Sequence, residues 1–159
     1  MSSTLSSNDG EAKFTLELHA CSEYAHEAGF DSSISFDGRH WDGDHTHPVS
    51  AAFDTIWLHR ADIVALCDHI QRWITLPLTD LKAGRLNGEF ELARLPSQRV
   101  SIRFGERSDT IAGLNPVVSL VLAAGPFLSE FHFVTDQSCL GSFLRDLTIA
   151  IASKNRSAL

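Results

Sequence analysis

The chain has 159 residues, 43% hydrophobic and 21% charged, and a net charge of −7. That is the profile of one globular domain able to bury roughly two-thirds of its unfolded surface. Three cysteines are too few and too widely spaced for a disulfide scaffold. The longest nearly apolar run, the 13 residues Pro116–Leu128, falls short of the roughly 18 that a membrane helix needs.

The opening Met1-Ser2-Ser3-Thr4 meets Asp9 and Glu11 soon after, without the basic start and apolar run of a signal peptide, so a cytoplasmic protein is expected. The charge is unevenly placed. Residues 1–47 carry nine carboxylates against two cations, whereas residues 48–159 balance eleven against eleven. Such an acidic segment repels phosphate, which disfavours nucleic acid as a partner, and steers toward a basic protein surface. The plainer account is that these acids solubilise a strand edge and its loops.

In chain order, residues 1–12 are polar and aperiodic and read as a flexible leader. A single α+β domain is expected over 13–154, with a C-terminal tail at 155–159. Phe14, Leu16 and Leu18 alternate with polar residues as a strand with one buried face does. Ile34 and Phe36 repeat the pattern, and Asp37-Gly38 reads as the turn that ends it. Residues 39–48 read as a loop. A third strand covers 53–58, with apolar groups on both sides suggesting a central position.

At Arg60 the period changes to helical. Ile63, Leu66, Cys67, Ile70, Trp73 and Ile74 form one stripe, Asp62 suits the first turn, and Pro77 stops the run, which predicts a helix over 60–75. Four more strand patterns follow, around Phe90–Leu95, Val100–Phe104, Val118–Leu122 and Phe131–Phe133, with turns at Pro96-Ser97, Gly113-Leu114-Asn115 and Gly125-Pro126. Asp136 offers an N-cap to a second helix carrying Leu140, Phe143, Leu144, Leu147 and Ile151. The expected order is βββαββββα, an antiparallel sheet packed against two helices, with no internal repeat. Trp57, Trp73 and the phenylalanines are assigned to the core.

The segment His40-Trp41-Asp42-Gly43-Asp44-His45-Thr46-His47 gathers three imidazoles and two carboxylates, both good zinc ligands. It lacks the His-x-x-x-His spacing of helical zinc sites and the pattern of a calcium loop, so a solvated loop or binding edge is the simpler reading. The alternative is a small metal-binding protein or metal-dependent enzyme using His40, Asp42, Asp44, His45 and His47. Cys139 stands at a helix start, where a thiol can be activated, but a partly buried structural residue is the expected role. No Gly-x-Ser-x-Gly elbow, phosphate loop or dinucleotide fingerprint is present, and no cofactor is expected. Trp41, in a polar segment where no periodicity dictates burial, is a natural interface anchor.

The Phe36-Asp37-Gly38 strand end, the Leu-containing helix at 60–75 and the last strand running into Asp136-Gln137-Ser138-Cys139-Leu140-Gly141-Ser142-Phe143-Leu144 make an outline over residues 14–152. It resembles small bacterial proteins grouped with the WapI-type immunity proteins. The resemblance implies a non-enzymatic α+β protein that neutralises a cognate toxin by direct binding, with no catalytic residues to carry over. On that reading the contact falls on Asp37, Trp41, Asp42 and Asp44. The partner would then be basic, as the groove of a nuclease must be to hold phosphate.

Overall fold

A computed structural model describes residues 2–75, 87–95, 97–105 and 115–157. The fold class is α+β with antiparallel sheets, as the strand and helix patterns predict, but the described residues form eight strands in two sheets. The first sheet is a meander of β1 (Ser2–Ser6), β2 (Lys13–Tyr24), β3 (Glu27–Trp41) and β4 (Thr46–His59), in that order, and α1 (Arg60–Thr75) follows. The second is a meander of β5 (Gly88–Leu95), β6 (Gln98–Gly105), β7 (Val117–Ala124) and β8 (Phe127–Val134), and α2 (Gln137–Ser157) follows it. Among the described residues each sheet is a four-stranded meander followed by a helix.

The apolar alternation of β2 and β3 sends Phe14, Leu16, Leu18, Ile34 and Phe36 to one buried face. They meet the stripes of both helices, Ile63, Leu66, Ile70 and Trp73 from α1 and Leu140, Phe143, Leu144 and Leu147 from α2. Phe14 and Phe143 pack with ring centroids 6.3 Å apart. Val100, Ile102, Phe104, Val118 and Leu120 of the second sheet complete the same core. Phe36 carries it across to β8, stacked on Phe131 at 4.0 Å. The helix ends are tied as their sequences predict: Asp136 caps α2 through the Cys139 N–H at 2.8 Å. Gln137 donates to the carbonyl of Ile74 at 3.1 Å, linking the start of α2 to the end of α1.

Several expectations need correction. The leader is not free: Ser2–Ser6 pairs antiparallel with Lys13–Glu17 as an edge strand, and Leu5 is fully buried. One apolar residue among five was too little to show a period. Asp37-Gly38 is not a turn. Both residues stay in β3, paired with Ser50 and Val49, and Gly38 fits there because a Cβ would stand 2.9 Å from the Phe36 ring.

The segment 39–48 is no open loop but the outer part of one long β3–β4 hairpin, paired out to Trp41 and Thr46. The strand at 53–58 belongs to β4, an edge strand of its sheet. Its two-sided burial comes from β5 and α1 beside it and from the bulge opposite Ser32 and Ile34. Helix α2 runs through 155–157, taking in most of the expected tail. Phe127 is not core but exposed, at 76%. Pro77, Pro96, Gly113 and Leu114 lie outside the described residues.

Candidate functional site

The β3–β4 hairpin outruns its core. Phe36 is the last buried residue of β3, and beyond it the two strands continue paired with almost every residue exposed. At about 3.3 Å per residue, the five residues from Asp37 to Trp41 form an arm about 16 Å long. Its turn is built by Asp42. The Asp42 N–H donates to the His45 carbonyl at 3.2 Å. Its carboxylate accepts from the N–H groups of Asp44 at 3.1 Å and His45 at 2.9 Å, and from His47 Nε2 at 2.7 Å. Gly43, with φ +98°, supplies the left-handed residue. These bonds, the His45 N–H first and then the His47 ring, hold the Asp42 carboxyl below the ordinary carboxylate range.

Strand alternation gives the arm two faces. Phe36, Gly38 and His40, with Val49 opposite Gly38 and His47 opposite His40, make the inner face. Phe36, Gly38, His40 and Val49 of this face, with Ala12, Arg39, Glu130, Phe131 and His132, wall a cavity of about 310 Å³ beside β8. Asp37, Arg39 and Trp41, with Ser50, Pro48 and Thr46 opposite them, make the outer face. Trp41 is 64% exposed there, the most exposed of the three tryptophans. Arg39 lies between Asp37 and Trp41 and is held by Glu11 at 3.4 Å.

The four residues assigned to a contact therefore share one arm but not one role. Trp41 and Asp37 share a face, Asp44 is exposed at the tip, and Asp42 is spent on the turn. His40 and His47 are cross-strand neighbours, but His47 is bonded to Asp42, and among the described residues no three His, Cys, Asp or Glu side chains converge as metal ligands would.

The cysteines offer no activated thiol among those with a shifted acidity. Burial, reinforced by Asp68, pushes Cys67 up to about 11, and burial and Asp136 push Cys139 up as well, opposite to what a helix-start nucleophile needs. A cavity of about 710 Å³ opens where the β2–β3 turn meets the start of α1. It is lined by Glu27, His59, Arg60, Asp62 and Asp68, with His59 bonded to Glu27 at 3.0 Å. Its lining carries both signs of charge.

Sequence reasoning passed over Glu130, Phe131 and His132 of β8, which border the arm, and the exposed pair Phe127-Leu128. Only the run of aromatics in Phe127–Val134 hinted at them. No described helix is long and apolar enough to cross a membrane. No family model and no curated protein matches the sequence.

Proposed function

We propose that this chain is a non-enzymatic binding protein of the immunity type, which neutralises a toxin by setting the outer face of the β3–β4 arm against a basic surface, such as the groove of a nuclease. The observation that carries the reading is Trp41, 64% exposed on an arm whose turn is braced by three hydrogen bonds to Asp42. A large aromatic held on a preformed strand loses little freedom on binding, which is what an interface anchor requires. Asp37 and Asp44 flank it as rim charges that steer encounter, while Asp42 positions the tip.

The test is binding kinetics against the product of the neighbouring toxin gene at low and moderate salt. Trp41→Ala should weaken binding by about 2 kcal/mol, mostly through faster dissociation. Asp37→Lys with Asp44→Lys should slow association and flatten its salt dependence. If both variants bind and protect as the parent does, the arm is not the interface.

A further inference from the structure

The sheet edges of this protein are not treated alike. Helix α2 packs on β1, and β4 and β5 lie beside each other with α1 against both. The outer edge of β8 faces the β3–β4 arm across a cavity, and among the described residues no backbone group is hydrogen-bonded to it between Leu128 and His132. Its backbone orientation can be read from two bonds. The Thr135 N–H donates to the Pro116 carbonyl at 3.1 Å, so odd-numbered residues turn toward β7. The Val134 carbonyl instead accepts from the Asn8 N–H at 2.9 Å, so even-numbered residues turn outward. Leu128, Glu130 and His132 therefore present N–H and C=O groups along an open edge, on a strand paired with β7 without a bulge. Two large apolar side chains stand exposed at its start, Phe127 at 76% and Leu128 at 68%.

We infer that β8 is the interface of a twofold dimer, in which the β8 strands of two copies of this chain pair antiparallel and join their second sheets into one. The occupant is set by self-complementarity. Outward groups must face outward groups, so only registers that set even residues against even residues can form the ladder. With Phe131 at the twofold axis, Glu130 of each copy faces His132 of the other. Shifting by one step either way sets Glu130 against Glu130 or His132 against His132.

The favoured register places Leu128 opposite Val134, where the bond to Asn8 ends the ladder. Within each copy His132 already lies 3.3 Å from Glu130, so the axis would gather two carboxylates and two imidazoles in alternation. The cavity of about 310 Å³ beside this edge, bordered by Phe36, Gly38, Val49 and Phe131, leaves room for an aromatic ring from the incoming strand. This inference does not depend on the role of Trp41.

The experiment is sedimentation equilibrium of the full chain from low micromolar to hundreds of micromolar, with circular dichroism to verify folding of each variant. The parent should be in monomer–dimer equilibrium. His132→Glu and Glu130→Lys each spoil two symmetry-related pairs and should raise the dimer dissociation constant about tenfold. The double variant restores opposite charges across the axis and should return to within about twofold of the parent. A parent that stays monomeric overturns the dimer and leaves the edge to a strand of another protein. A dimer indifferent to either single variant, or a double variant no better than the worse single one, overturns the register and the interface with it.

Discussion

Gly29 makes the sharpest test of how the first sheet is held together. It faces His59 across the β3–β4 ladder, and the Trp57 indole lies over it. A Cβ at this position would stand well inside 3.0 Å of two indole carbons and of the Leu58 carbonyl oxygen. Neither neighbour can step aside cheaply. The indole N–H donates to Ser22 Oγ at 2.8 Å, and the ring packs against Tyr24 at 5.7 Å and His59 at 4.6 Å. The Leu58 oxygen is a backbone atom of a fully buried residue.

Overpacking a site that cannot relax costs about 1–3 kcal/mol, and two rigid neighbours put Gly29→Ala near the upper end. For a chain of this length about 3 kcal/mol lowers Tm by roughly 6–12 °C. Urea unfolding followed by circular dichroism measures it, with Gly105→Ala as the control, because a Cβ there meets nothing within 4 Å. If the two variants agree within about 0.5 kcal/mol, the close approach of Trp57 to Gly29 is not a constraint and the reasoning fails.

The β2–β3 turn offers the opposite kind of change. Ala25 and His26 both have positive φ, +49° and +70°, where Asn-Gly fits better, so Ala25→Asn with His26→Gly should raise stability by about 1–2 kcal/mol at an unchanged denaturant slope. Protonating Asp42 should loosen the arm. Its carboxyl is held low in the folded protein, so its contribution is complete above the ordinary value of about 4 and is lost as pH falls through the lowered one. Faster amide exchange at Asp44 and His45 in acid, relative to the pH trend of exposed amides, measures this, and Asp42→Asn should show it already at neutral pH.

Legibility in the sequence followed burial. The stripe from Ile63 to Ile74 marked α1, because every third or fourth residue had to face the same core. Asp136 marked the start of α2 through the chemistry of its cap. The arm was hidden for the converse reason. With no core beneath residues 39–48, nothing imposes an apolar alternation, and a paired strand then looks like a loop.

The candidate site was half legible. A tryptophan among acids is visible in one dimension, but whether Asp42 faces a partner or its own turn depends on where three hydrogens point. That the first sheet has four strands was illegible, because β1 shows a single apolar residue and β4 keeps its alternation only in part. The open edge of β8 is a property of what does not pack there, and no local pattern encodes it.

The junction of β1 with the far end of the chain has a consequence for synthesis. Thr135 Oγ1 donates to the Ser6 carbonyl at 2.8 Å, Asn8 donates to Val134, and α2 lies on β1. These contacts span nearly the whole sequence, so the first four strands can assemble on the ribosome but cannot be closed until residues 134–157 have been made. Until then Leu5, Phe14 and Leu16 lack the helix that buries them, and the nascent protein displays a greasy, half-finished sheet. A ribosome pausing before codon 134 would hold the chain in the state most apt to be captured by a chaperone or to pair with a neighbouring nascent chain.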